Sequence, residues 1–174
     1  EKYEPILTTA SRGFSLPPVI PQHSPREQYR GFYRFTGYLN VPKVLELALN
    51  NGIDPMTGRK VGLETGDPRE FKSFEVLYDA FENQLHYIVD LKIRVNNYIE
   101  RMFATYAPAT FLSVVINDCI GNGKDYYDGG PRYNTNYIQC CGIGTVTDSM
   151  SAIKKHVFET KDVPMERLLD ALEK

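Results

Sequence analysis

Residues 73–105 read SFEVLYDAFENQLHYIVDLKIRVNNYIERMFAT, and the spacing of the apolar side chains within them decides the fold class. Phe74, Leu77, Phe81, Leu85, Ile88, Leu91, Val95, Ile99 and Met102 recur at three- and four-residue steps behind Ser73, a residue suited to cap a helix N-terminus. The spacing predicts one long helix, about 48 Å at roughly 1.5 Å per residue. A compact domain of 174 residues is hardly wider than that, so the stripe needs more neighbours than the chain supplies.

Upstream, residues 44–49 are strongly apolar behind Asn40, a plausible cap, and Pro42, which the first turn of a helix tolerates; Gly52 closes the segment. This helix is apolar nearly all round and is expected to be buried. Residues 53–68 carry Asp-Pro and Thr-Gly pairs without a period, which is turn chemistry on a surface excursion. Residues 1–30 hold four prolines and no period and read as irregular.

Downstream, the apolar run at 111–120 leans towards a helix ended by Gly121-Asn122-Gly123. Residues 124–136 are rich in Gly, Tyr and Asn, and 137–144 form a short β-leaning segment whose glycines imply a close backbone approach. Thr145 or Thr147 is expected to cap a helix carrying Met150, Ile153, Val157 and Phe158, and a last helix starts near Pro164. Helices alternating with short buried strands give an α/β class in which helix dominates.

A formal charge of −2 with both signs mixed leaves no basic stripe for nucleic acid. No apolar run approaches the roughly 20 residues that cross a bilayer, and the start is not a signal peptide, so a cytoplasmic location is the default expectation. Three cysteines fit neither a disulfide framework nor a zinc knuckle, and reduced thiols are expected. The start at Glu1 and the stop inside the amphipathic stretch 165–174 suggest an internal fragment.

Adjacent Cys140 and Cys141 suit a vicinal disulfide, a soft metal or a radical relay, but they also suit tight packing beside glycines. Cys119, on an apolar run, reads as core. Gly142-Ile143-Gly144 lacks the third glycine of a dinucleotide loop and reads as close packing. His23, His86 and His156 are far apart, and none is assigned to a metal. The loop 129–137, GGPRYNTNY, offers amides, phenols and the guanidinium of Arg132, which can hold a carboxylate in a bidentate fork or pin neighbouring carbonyls.

Four blocks, LELALNNG at 45–52, ETGDP at 64–68, GGPRYNTNYIQ at 129–139 and GIGTVTDSMSAIK at 142–154, stand in the order and spacing of glycyl radical enzymes. From about Phe32 onward the chain resembles the large subunit of that superfamily, the pyruvate formate-lyase-like enzymes, and within it the hydroxyproline dehydratase and C–X lyase branch. The resemblance implies that residues 31–174 are a helix-rich part of a ten-stranded β/α barrel domain. It also implies a glycyl radical installed by an S-adenosylmethionine-dependent radical-activating enzyme, a small polar substrate and a homodimeric parent. A thiyl radical on a barrel cysteine would take hydrogen from the substrate inside a dry cavity. By the same resemblance Tyr38, which ends the Thr36-Gly37-Tyr38 block, lines the pocket, and Arg132 is the second substrate-binding candidate.

The chain departs from the family where chemistry is concentrated. The Gly-Cys-Val-Glu block belongs a short way before Phe35, yet that stretch reads Pro21-Gln22-His23-Ser24-Pro25 and no cysteine precedes Cys119. The glycyl block belongs beyond Lys174. No catalytic residue is therefore assigned, and the chain is expected to be inactive without the remainder of its subunit. Two alternatives stay open: a pyruvate formate-lyase-type acyltransferase using Cys140 and Cys141, and a non-enzymatic interaction module built on the long helix.

Overall fold

In the computed structural model, which describes residues 34–134 and 136–173, strand β1 (Arg34–Asn40) runs directly into helix α1 (Val41–Ala48). The irregular segment read at residues 1–30 lies outside the described residues, as does the Pro21-to-Pro25 stretch. Asn40 caps α1, its side-chain oxygen accepting from the Lys43 N–H at 3.3 Å, and every residue of α1 except Lys43 and Glu46 is buried. The chain leaves α1 through Asn51 and Gly52, at φ 49° and 78°. It then forms a small antiparallel hairpin, β2 (Ile53–Asp54) and β3 (Arg59–Lys60), with Ile53 opposite Lys60.

Helix α2 (Phe74–Tyr106) follows, a single helix as the stripe predicts. Then come α3 (Thr110–Val115), α4 (Cys119–Asn122), strand β4 (Asn136–Cys141), α5 (Ile143–Ile153), a wide π-type turn at Lys154–Glu159 and α6 (Met165–Leu172). Strand β4 pairs with β1 across this long helical excursion, the connection that an α/β segment uses between non-consecutive strands.

The described residues fall into two compact units. One holds residues 39–91 and 140–173, with Val44, Leu45, Leu47 and Ala48 of α1, Leu77 and Phe81 of α2, Val146, Met150 and Ile153 of α5, and Leu169 of α6 buried. The other holds 34–38 and 92–139, with Ile116, Cys119 and Tyr126 as its core and Ala109, Leu112 and Tyr127 packed round them. Cys119 is 1% exposed, the core position that its apolar run predicts.

Two local expectations are corrected. The run at 111–120 is not one helix: Ile116 turns extended at ψ 133° and Asp118 adopts the left-handed conformation at φ 77°, which brings Ile116 and Cys119 into one core with Tyr126. Aspartate tolerates that conformation better than most residues. Neither Thr145 nor Thr147 caps α5. The cap lies three residues before Thr145, at Gly142, whose φ of 77° makes the turn from β4, and Thr147 instead donates its hydroxyl proton to the Ile143 carbonyl at 2.9 Å. Val157 and Phe158, expected on the same helix, lie in the wide turn beyond it.

Asp54 accepts from Lys43 Nζ, from Thr57 Oγ1 at 2.7 Å and from the Met56 N–H at 3.3 Å, and these donors, Lys43 foremost, hold its carboxyl at about 2 instead of 3.8. The folded state thus binds this proton less tightly than the unfolded one, so the group's stabilisation is complete above pH 3.8 and is lost as pH falls towards 2. Melting temperature measured across pH 2–5 should carry this loss in the parent chain, and Asp54→Asn should remove that component while lowering stability at neutral pH.

Candidate functional site

Of the two residues singled out as substrate-binding, Tyr38 sits on β1 and Arg132 in the loop before β4. Tyr38 lies on β1 between Gly37, at φ 117°, and Leu39, which is buried; Tyr38 itself is 42% exposed. Successive residues of a strand face opposite sides, so Tyr38 and its two neighbours divide between the two faces of the pair. A Cβ added at Gly37 would come 2.5 Å from Lys92 Nζ, so the Lys92 side chain closes directly on Gly37.

The same alternation separates the adjacent cysteines of β4. Cys140 is exposed and Cys141 is buried, and both are thiols. Burial pushes the Cys141 thiol up, with the neighbouring Cys140 adding to the rise, so neither proximity nor charge prepares it as a thiolate. Both features suit the packing role. The close approach read from the glycines is made by Gly142, where a Cβ would sit 2.5 Å from Pro42 Cγ in the first turn of α1. Gly144 meets nothing within 4 Å among the described residues, so the close packing rests on Gly142.

Arg132 precedes β4, and its fork is closed on a protein carboxylate. Nη2 donates to Asp118 Oδ1 at 2.9 Å and Nε donates to Oδ2, and this pairing raises the guanidinium above its ordinary value. Both side chains remain partly exposed, at 48% and 32%, so the pair contributes little to stability and chiefly ties the loop before β4 to the N-terminal end of α4. Asp118 was not singled out from the sequence. Its signal was an acidic residue at the polar end of an apolar run, facing a loop arginine fourteen positions on.

Beside this pair, Asp125 organises the loop that leads to it. It accepts from the Ala109 N–H at 3.2 Å and the Tyr127 N–H at 2.9 Å, and its Oδ2 lies 2.7 Å from Ser113 Oγ, which in turn accepts from the Tyr126 N–H at 2.8 Å. Partial burial pushes the Asp125 carboxyl up, but these donors outweigh it and leave the group below the usual carboxylate range. Gly130 closes the loop at short range: a Cβ there would lie 2.4 Å from the Lys124 carbonyl oxygen and 2.9 Å from Cys119 Sγ.

Within the other unit an apolar groove of about 390 Å³ runs between α1, α5 and α6, lined by Pro42, Leu45, Leu49, Val146, Ile153 and Leu169. Its lining also includes the Lys43–Glu46 ion pair. His156 pairs with Asp162, Nδ1 to Oδ2 at 3.1 Å, at the exposed end of the wide turn, and His86 is exposed on α2. Among the described residues no group of three potential metal ligands converges, and no helix is long and apolar enough to cross a membrane.

Comparison with known proteins agrees with this geometry. A family described as pyruvate formate lyase-like matches residues 23–174. The chain is 54% identical over 141 residues to trans-4-hydroxy-L-proline dehydratase of Clostridioides difficile, a match that covers 81% of this chain and 18% of that protein. It is 32% identical over 135 residues to (2S)-3-sulfopropanediol dehydratase of Klebsiella oxytoca, covering 78% of this chain and 16% of the relative. The crystal structure of the hydroxyproline dehydratase from C. difficile with trans-4-hydroxy-L-proline bound superposes with a TM-score of 0.76 over 80% of this chain and 18% of that one. Such neighbours are glycyl radical enzymes built on a ten-stranded β/α barrel, of which this chain matches a helix-rich α/β part. The chain thus spans less than a fifth of the length of these relatives. Sequence blocks, strand pairing and superposition agree, and the chain belongs to the pyruvate formate lyase-like family.

Proposed function

We propose that this chain is a wall segment of a glycyl radical dehydratase acting on a small polar substrate, with Tyr38 lining the substrate pocket. The observation that carries the reading is the 54% identity to trans-4-hydroxy-L-proline dehydratase, sustained over 141 residues. Tyr38 stands exposed on β1, and a phenol there can donate or accept one hydrogen bond while presenting a flat apolar ring. Arg132 has its fork on Asp118, so its contribution to substrate binding is to hold the loop before β4 in place unless a substrate carboxylate displaces Asp118.

The sulfur that abstracts hydrogen and the glycine that stores the radical belong to other parts of the subunit, and no step of the reaction is assigned to Cys119, Cys140 or Cys141. The proposed partners are the remainder of the same subunit, a second subunit forming a dimer, and an S-adenosylmethionine-dependent activating enzyme.

The test is a graft in which this chain replaces the matched segment of the C. difficile dehydratase. After activation the graft is expected to turn over trans-4-hydroxy-L-proline, whereas the isolated chain with the same activating enzyme turns over none. Tyr38→Phe in the graft should lower kcat/KM by roughly tenfold, the scale of one hydrogen bond to substrate. A folded graft that carries a glycyl radical yet leaves the substrate untouched would sink the reading.

A further inference from the structure

Gly37 stands one residue before Tyr38 on β1, at φ 117°, a backbone conformation that side chains rarely adopt. The missing side chain leaves a notch in the strand. A Cβ built there would meet Lys92 Nζ at 2.5 Å and Lys92 Cε at 3.3 Å, and among the described residues, its two chain neighbours apart, nothing else comes within 4 Å. Lys92 is half-buried on α2, and Gly37, Tyr38 and Lys92 all belong to the unit that holds 34–38 and 92–139.

A surface lysine ordinarily lays its stem along its neighbours and leaves the ammonium to water. In Lys92 the tip of the side chain is the part that closes on backbone, and it does so where the strand is least constrained by its own residues. Glycine gives a chain more freedom than any other residue, and a rotation at Gly37 swings the side chain of Tyr38 with it. On the other side of Tyr38, Leu39 is buried and fixed by its packing. The phenol is thus held between one anchored neighbour and one pliant neighbour whose only filling comes from α2.

We propose that Lys92 is a positioning residue: by filling the notch at Gly37 it holds β1 in the conformation that aims the Tyr38 phenol. It touches no reacting atom and acts through Tyr38. Its effect on turnover rests on the reading of Tyr38 as a pocket residue, whereas its hold on Tyr38 does not. Reach, not charge, is what the notch requires. Methionine extends as far as Lys92 Cε and still covers Gly37, while alanine leaves the notch empty.

Two measurements test this. With meta-fluorotyrosine at position 38 of the chain, Lys92→Ala should shift and broaden the fluorine resonance, and Lys92→Met should bring it back towards the parent signal; alanine is the strongest helix former, so α2 persists in the variant. In the grafted dehydratase Lys92→Ala should lower kcat/KM by about tenfold, within the roughly hundredfold that a displacement of about 1 Å can cost, and Lys92→Met should recover most of the loss. In a Tyr38→Phe background Lys92→Ala should cost less than about twofold, because the hydrogen bond it would misplace is already gone. A residue that merely stabilised the fold would cost the same in both backgrounds. Equal losses in the two backgrounds, a fluorine signal indifferent to Lys92→Ala, or no recovery with Lys92→Met would overturn the proposal. Should the graft fail to fold, the fluorine signal decides alone. A fluorine response combined with turnover indifferent to Tyr38→Phe would leave Lys92 as the support of Tyr38 and reject Tyr38 as a pocket residue.

Discussion

Gln84→Leu is expected to cost roughly 2–4 kcal/mol of stability, although it replaces a polar side chain with an apolar one inside a protein core. Gln84 is fully buried on α2, and its amide holds both backbone polar groups of one residue, Leu63, in the loop that follows the hairpin. Its Oε1 accepts from the Leu63 N–H at 2.9 Å, and its Nε2 donates to the Leu63 carbonyl at 2.6 Å, with Thr65 Oγ1 at 3.3 Å as a further acceptor. Leucine nearly fills the space but satisfies neither group, and each unpaired backbone group costs about 1–3 kcal/mol once it is out of water. Denaturant melting should show a lower midpoint at unchanged slope. A loss under about 0.5 kcal/mol would mean that water reaches Leu63 in the variant and that the clamp contributes little.

Gly52→Ala should be at least as damaging, by about 3 kcal/mol or more, through backbone geometry. Gly52 sits at φ 78°, where any Cβ is strained, and the added methyl would lie 2.2 Å from the Leu63 carbonyl oxygen and 2.8 Å from the Gly62 carbonyl carbon. Those are backbone atoms that cannot swing aside. Gly52 also accepts from the Val61 and Gly62 N–H groups at 2.9 and 2.8 Å, so moving it shifts the whole loop. Because both substitutions act on the Leu63 carbonyl, their combined effect should fall short of the sum. Additive losses in a double-mutant cycle would separate the two contacts.

The contrast between these residues and those found by reading the sequence has a physical basis. Helix α1 was legible because Asn40, Pro42 and an apolar run coincide, and α2 because nine apolar side chains keep one period. Gln84 was not legible, since a polar residue in an amphipathic helix looks the same whether water or a buried backbone group meets it. The break at Asp118 escaped notice because its left-handed turn uses an aspartate where a glycine would have announced it. Thr145 and Thr147 misled for the opposite reason: both are good caps, but Gly142 already makes the turn, so they become interior positions of α5. Tyr38 and Arg132 came from family resemblance and loop chemistry, and neither route pointed to Asp118 as the group on which Arg132 closes.

The contact of Gly142 with Pro42 ties two segments a hundred residues apart in sequence to one geometric condition. The proline ring occupies the volume that any side chain at position 142 would need, and the left-handed turn there admits little besides glycine in any case. In a diverging lineage the ring at 42 can shrink freely, whereas position 142 can gain bulk only after the ring has gone and only with a new way of leaving β4. The two positions therefore drift in a fixed order, and a library that randomises both should recover substitutions at 142 almost exclusively in clones that have already lost the proline.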